Sequence, residues 1–549
     1  MLSDANTIVS LLPEIVLVLC ATGILVAGTF YNAARLWPWL AVGAYVLAAG
    51  TLCWLEAGRW TASESAQFFG PLVSDPLAFL WRHLSLIVGI LFSLHAASRR
   101  DLRLQSEIQG LLMLLVAGML IACRANELAL AFLSMELVSI PTYVLLYLGR
   151  KDQANAEATT KYFYLSIFSS AVFVYGLTFL YGVAGTTWIT SAQGPSLQAA
   201  LSEAGQLSTV GLILALVGLG FKIAAVPFHF YAPDVYQGTT YTNAAVLSVA
   251  PKIAGMVVMT RLLVVGFSAQ PELMWQLTCT LALLTMTLGN VCALWQKNLR
   301  RLMAYSSIAH GGYLLIGITV ASAAIAERLP FGGIAAVSFY MFAYSVATIG
   351  VFTSLACYQS AEDSEVYSVE QLSGFSRRHP WHAAALAVFL LSLTGIPPLV
   401  GFWGKLALLL SALARGMTPA SGAYAFWFVL LAVAGAINAA VAAAYYLRVI
   451  AVMYFGTDDA RRTTQVRAAP SMPLQIAALL CVTLVVGLGV EQRPLSDWAQ
   501  RAEQGIATTL KVARTESTKQ KSGWHAVDRY AEPAWANRIS AVLQSTFHQ

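Results

Sequence analysis

Four charged side chains stand inside hydrophobic runs long enough to cross a bilayer: Glu136, Lys222, Lys252 and Lys405. Glu136 lies roughly 12 Å along the run 128–148, near the midplane of a membrane. Lys252 is about as deep in the run 244–267. A charge at that depth costs about 2.5–3.5 kcal/mol on insertion scales, so each must be paired, hydrated or neutral. Carboxyl and amine groups exchange protons, and desolvation penalises their charged forms. One acid and three amines at a common depth therefore suggest a polar track for protons or ions inside a helix bundle. Two histidines are candidates to extend it. His310 lies in the tenth span, and its residue type titrates near neutrality. His229 lies one step past a helix break, where it would link the seventh span to solvent.

Lys222 is the expected partner of Glu136, because a nearby lysine would restore the charge that burial disfavours. Glu136 shares a helix face with Ser139 and Tyr143. The pair reads either as an acid whose proton affinity is switched by moving the lysine, or as a static buried ion pair. Polar stripes accompany the charges. Span 6 carries Ser166, Ser169 and Ser170 below Lys161. Span 10 carries Tyr305, Ser306 and Ser307. Span 11 carries Ser338, Tyr340, Tyr344, Ser345 and Thr348. Hydroxyls at helical spacing either order a chain of water or hold helices together.

The elements that must position these groups are membrane helices. The chain has 549 residues, 58% hydrophobic and only 11% charged. With a mean hydropathy of +0.66, a soluble globular protein is excluded. About fourteen spans begin near residues 8, 36, 76, 108, 126, 157, 208, 241, 274, 301, 331, 383, 425 and 472, so the expected class is an all-α polytopic membrane protein. The first run, 8–30, has no basic segment before it and reads as a retained helix, not a signal peptide. The net charge of +6 sits mostly in loops and the C-terminal tail, which argues for membrane topology and against nucleic-acid binding. Basic residues favour the connections after spans 1, 3, 5, 9, 11 and 13. The positive-inside rule then places both termini on the periplasmic side of a bacterial inner membrane. The seven cysteines are scattered through the spans without metal-ligand spacing, and no Gly-rich phosphate loop or HExxH motif is present.

Two spans carry proline breaks beside a lysine. One reads Phe221-Lys222-Ile223-Ala224-Ala225-Val226-Pro227-Phe228-His229; the other reads Thr394-Gly395-Ile396-Pro397-Pro398, followed by Gly401, Gly404 and Lys405. Proline removes an N–H and clashes with the preceding turn. Irregular backbone at membrane depth is tolerated where it is buried in protein or lines a wet cavity. The breaks fall in spans 7 and 12, and an odd offset inverts the second copy in the membrane. Paired broken helices of this kind point to a transporter's ion path.

These residues carry a resemblance. Asn126-Glu127-Leu128 with Phe132-Leu133-Ser134-Met135-Glu136-Leu137 and Lys161-Tyr162 resembles the fifth and sixth helices of the antiporter-like subunits of respiratory complex I. Phe221-Lys222 with Val226-Pro227-Phe228-His229 and Pro233-Asp234-Val235-Tyr236-Gln237-Gly238 is similar to the N-type (chain 2) branch of that family. So are Asn298-Leu299-Arg300-Arg301-Leu302, the stretch from Tyr305 to Leu314, and the second break through Lys405. The resemblance covers about residues 8–490. It implies two inverted five-helix repeats and proton pumping driven by quinone reduction elsewhere in the complex. In its terms Glu136 and Lys222 are a paired acid and base, Lys252 is the central relay and Lys405 the exit-side residue. A lysine at 405 favours the N branch over the M branch.

The expected organisation is three N-terminal helices (1–107), a first repeat (108–270), a second (271–456), a last helix (457–490) and a polar tail (491–549). No cofactor is expected in this chain; NADH, FMN, iron–sulfur clusters and quinone belong to other subunits. The implied partners are the lipid bilayer, the antiporter-like subunit M and the small membrane subunits A, J and K. The rival readings are a subunit of a cation/proton antiporter and an inert spacer. Two features depart from the family pattern: Thr239-Thr240-Tyr241-Thr242 stands where small and proline residues are usual, and the tail is long.

Overall fold

The computed structural model describes residues 7–508 and 510, apart from 32, 57–65, 99–101, 192–194, 202–204, 325–331, 360–365, 419–421, 423, 457–466 and 469–470. Arg59, Arg99, Arg100, Arg328, Arg461, Arg462 and the tail from 511 onward lie outside that set. Sixteen helices carry the argument: α1 Leu12–Phe30, α2 Trp37–Glu56, α3 Pro76–Ala96, α4 Gln105–Arg124, α5 Leu128–Tyr147, α6 Gln153–Ala184, α7 Gln206–Lys222, α8 Ala232–Gly238, α9 Tyr241–Met259, α10 Pro271–Leu294, α11 Leu299–Ala324, α12 Gly333–Ala356, α13 Pro380–Thr394, α14 Val400–Met417, α15 Ala425–Phe455 and α16 Met472–Val490. Residues 493–508 form a terminal helix. Two antiparallel two-stranded ribbons complete the architecture: Gln67–Phe69 with Leu72–Ser74, and Tyr358–Gln359 with Arg467–Ala468.

Thirteen described helices are long and apolar enough to cross a membrane. The interrupted pair α7/α8 supplies one further apolar segment, and α13/α14 is the second interrupted one, so the chain is a predominantly helical polytopic membrane protein. Both breaks fall where the prolines place them. At the first, α7 ends on Lys222, and freed backbone groups find partners: the Val226 N–H donates to Thr285 Oγ1 at 3.0 Å, and Tyr231 donates to the Phe221 carbonyl at 3.0 Å. At the second, Gly395 turns the chain at φ +93, a left-handed conformation that glycine adopts without penalty. A Cβ there would also lie 3.1 Å from Lys405 Cδ.

The packing order is the same in two sets of five. In the first, α4 packs on α5 and α9, α5 on α6, and α6 on α7. In the second, α10 packs on α11 and α15, α11 on α12, and α12 on α13 and α14. Between them runs α9, which continues as a π-helical segment Thr260–Gly266 and is buried along its whole length. The four residues that depart from the family pattern build the start of α9. Thr240 caps it by accepting from the Asn243 N–H at 3.3 Å, while Asn243 reaches Thr239 Oγ1 at 3.1 Å and the Leu145 carbonyl at 2.8 Å.

Candidate functional site

The acid and the first amine meet as their spacing requires. Lys222 Nζ lies 3.3 Å from Glu136 Oε1. It also reaches Ser139 Oγ at 2.7 Å and the Ser166 and Ser170 hydroxyls at 3.1 Å each. Ser139 donates to the Met135 carbonyl, so its oxygen is left to accept from the ammonium. Ser170 in turn donates to Glu136 Oε1 at 2.5 Å, and Tyr143 donates to Ser166 at 2.7 Å. The lysine side chain is only 4% exposed but the carboxylate side chain 19%. The pair is thus deep at its amine end and open at its acid end.

The second amine stands one helix inward. Lys252 follows Pro251 in α9 and contacts Ser307 Oγ at 2.6 Å. The Tyr344 phenol donates to the Ser248 carbonyl at 3.0 Å and sits 2.8 Å from Ser307. With its single proton so used, the phenol accepts from Ser307, and Ser307 accepts from Lys252. The hydroxyls thus form a directed wire from the amine. Gly311 lets α11 approach both the α7 break and the Lys252 side chain. A Cβ there would meet the Ile223 carbonyl at 3.2 Å and Lys252 Cε at 3.7 Å.

His310 lies one turn beyond Ser306 and Ser307 on α11. Its Nδ1 bonds the Tyr340 hydroxyl and its Nε2 bonds the Tyr446 hydroxyl at 3.0 Å. Tyr446 also bonds Ser306. Tyr340 lies on α12 and Tyr446 on α15, so the ring nitrogens tie three helices together. Lys405 donates to the Thr394 carbonyl at 3.0 Å and lies 4.9 Å from the centroid of the Tyr313 ring. Thr394 ends α13, so the ammonium sits at the negative end of a half-helix, where freed carbonyls favour a cation. Tyr313 connects the two groups, with ring centroids 6.2 Å from both His310 and Tyr340. Lys222, Lys252, His310 and Lys405 are all at most 5% exposed.

Other expected residues take different places. Lys161 pairs with Glu157 at 2.6 Å and Asp234 at 3.2 Å in a half-exposed cleft, where Arg301 also binds Asp234 at 2.9 Å. Ser169 donates to the Gly218 carbonyl and Ser345 to the Met341 carbonyl, which is helix packing and backbone bonding. Ser338 accepts from the Trp81 indole N–H at 3.0 Å. His229 lies in the α7–α8 connection, and among the described residues its ring is not a hydrogen-bond partner of Glu136 or Lys222.

A second buried cluster was not read from the sequence. Arg82 binds both oxygens of Glu14 at 2.9 Å and reaches Glu56 at 3.5 Å. Arg261 binds both oxygens of Asp75 at 3.0 Å and the Cys123 carbonyl at 2.6 Å, while Arg124 donates to the Ser10 carbonyl at 2.7 Å. Three carboxylates and three guanidiniums balance. The acids sit at helix ends, where a linear reading takes charge as interfacial; Arg82 and Arg261, each inside an apolar run, carried the visible signal. Among the described residues no group of three or more His, Cys, Asp or Glu is arranged to hold a metal ion.

A membrane bundle with two broken helices and amines threaded through its core defines the class: a polytopic helical membrane protein with an internal polar axis. The chain belongs to the NADH:quinone oxidoreductase/Mrp antiporter transmembrane family, whose model matches residues 125–437. It is 33% identical to NADH-quinone oxidoreductase subunit N of Myxococcus xanthus (strain DK1622) over 521 residues, 90% of this chain and 96% of that one. It superposes on a chain of respiratory complex I from Thermus thermophilus with a TM-score of 0.71 at 27% identity, covering 88% of this chain and 98% of that chain. A chain of the Mrp complex from Dietzia sp. DQ12-45-1b shares the fold, with a TM-score of 0.74 at 21% identity over 93% of this chain and 99% of that chain.

Proposed function

We propose that this chain is the proton-translocating, N-type membrane-arm subunit of an NADH–quinone oxidoreductase, carrying no redox centre of its own. The observation that carries the reading is the buried succession Glu136–Lys222, Lys252–Ser307–Tyr344, His310–Tyr340 and Lys405, spread over both five-helix sets. Within the Glu136–Lys222, Lys252 and His310 clusters the hydrogen bonds of 2.5–3.3 Å are short enough for proton transfer, and Lys405 stands at the end of the series. Between clusters a proton crosses by side-chain rotation or by water drawn in as neighbouring charges change. Glu136 and Lys222 act as the paired acid and base, Lys252 as the central relay and Lys405 as the exit. His310 bridges the last two. His229, off the axis, would act only as a link to solvent.

The two sets of five form an inverted repeat in this reading, at 108–270 and 271–456. The energy comes from quinone reduction in other subunits, which hold NADH, FMN, iron–sulfur clusters and quinone. The neighbours are subunit M and the small subunits A, J and K, in a bacterial inner membrane with both termini periplasmic. The test is NADH-driven proton uptake by inverted membrane vesicles, with assembly read on native gels. Glu136→Gln should assemble and lose pumping, and an assembled variant pumping at the parental rate would refute the assignment. The shared fold of the Mrp complex supports a second reading, a cation/proton antiporter subunit. Cation-driven proton exchange in vesicles without NADH would favour it.

A further inference from the structure

The terminal helix is not used by the relay, yet it reaches it. Its buried face, Leu495, Ala499, Ala502 and Ile506, repeats every three to four residues and lies against the bundle. Trp498 packs on Phe79 of α3 with ring centroids 4.8 Å apart, and a Cβ on Gly505 would strike Pro76 at 2.6 Å. From this helix Glu503 turns inward, and its Oε2 accepts from the Ala335 N–H at 2.9 Å. The first turn of α12 has no cap of its own: Gly332 occupies the N-cap position and no side chain caps locally. Gly332 is also what admits the carboxyl, because a Cβ there would lie 1.8 Å from it. On the opposite side α12 is seated tightly, with a Cβ on Gly333 falling 2.3 Å from the Gly317 carbonyl of α11. Tyr340, which bonds His310, stands only five residues past Ala335, roughly 7.5 Å along the same helix.

We propose that Glu503 is a positioning residue: docked through its carboxyl on the start of α12, the terminal helix fixes α12 in the register that holds Tyr340 on His310. The inference rests on the relay reading. Glu503 lies outside the membrane-spanning helices, and burial pushes its carboxyl up to about 7 although the backbone N–H groups of Ala335 and Ile334 pull the other way. Among the described residues no ionic side chain is paired with that carboxyl. On its own helix the nearest cation, Arg501, is stacked on Trp498. The first turns of α12 carry no titratable group before Tyr340. At the start of α3 the N-cap Asp75 is held by Arg261, further along α3 His83 bonds the Phe79 carbonyl at 2.9 Å, and on α14 the facing residues Trp403, Leu406 and Leu410 are uncharged. The α11–α12 connection, with Glu327 and Arg328, lies outside the described residues. The neutral carboxyl stays docked, and ionisation draws it toward water.

The experiment is initial proton-pumping rate in the assembled complex, with equal pH on both sides of the vesicle membrane, for the parent, Glu503→Gln, Glu503→Ala and Gly332→Ala, with Lys222→Ala as control. The parental rate should fall as pH rises through about 7. Glu503→Gln, neutral and still an acceptor, should abolish that fall. Glu503→Ala and Gly332→Ala should pump roughly two- to tenfold more slowly than the parent below pH 7, at the level to which the parent falls above it, with assembly intact. A Glu503→Gln profile matching the parent would overturn the proposal, as would failure of both Glu503 variants to assemble, which would assign the carboxyl to folding alone. If Lys222→Ala itself pumps normally, the relay reading fails, and the Glu503 proposal fails with it; if only the Glu503 variants are silent, the relay stands.

Discussion

Removing Lys222 separates what the buried pair does for folding from what it does for protons. Lys222→Ala removes the one cation paired with Glu136 among the described residues and takes a donor from Ser139, Ser166 and Ser170. Breaking a buried ion pair by deleting one member costs about 3–5 kcal/mol. Ser170 still donates to the stranded carboxyl, which puts the cost at the lower end, about 3 kcal/mol. Glu136→Gln in the same chain removes the stranded charge, and its amide still bonds Ser170. The double variant should therefore recover about 2 kcal/mol, seen as assembled complex on native gels and as a higher denaturation midpoint. Proton uptake by inverted vesicles should not recover. It should stay down by roughly 10²-fold in both variants, because neither retains an acid–base pair. A double variant that regained pumping along with stability would refute the relay and leave Glu136–Lys222 a structural pair.

Three further outcomes follow from the same geometry. Ser307→Ala should slow pumping roughly 10- to 100-fold in vesicles without loss of assembly, because the Lys252 ammonium loses its 2.6 Å acceptor and its link to Tyr344. Arg82→Ala should destabilise the chain by about 3–5 kcal/mol by stranding Glu14 and Glu56, read as lost assembly, and Arg82→Ala with Glu14→Gln should recover part of it. The folded-state affinity of Glu503 for its proton is raised from an ordinary 4.5 to about 7. Its stabilising contribution is therefore full below pH 4.5 and is lost as pH rises to about 7. Limited proteolysis of the terminal helix should quicken across that window in the parent and stay level in Glu503→Gln.

The buried track was legible because charge in an apolar run is costly enough to announce itself. Glu136, Lys222, Lys252 and Lys405 each stood out alone, and proline fixed where α7 and α13 end. Their partners were less legible. Tyr340 and Tyr344 showed as hydroxyls at helical spacing, but Tyr446 read as one more aromatic in an apolar helix. The pairing of His310 with two phenols depends on how three helices meet. Glu14, Glu56 and Asp75 hid at helix ends, where acids are ordinary, and Glu503 hid in a polar stretch after the last span. In each case the informative fact was a contact between different helices, from 26 residues apart for Glu56 and Arg82 to 168 for Glu503 and Ala335.

The balanced cluster around Arg82 has a bearing on how such a chain can be divided. Its members split unevenly: the first three helices and their loop bring Glu14, Glu56, Asp75 and Arg82, a surplus of two negative charges, while α4 and the π-helical end of α9 bring Arg124 and Arg261, a surplus of two positive ones. Neither portion is neutral at its buried seam until the other arrives. The front three helices therefore form a keyed module that can be shed over descent only if both arginines change with it, or if another polypeptide supplies acids to the same seam.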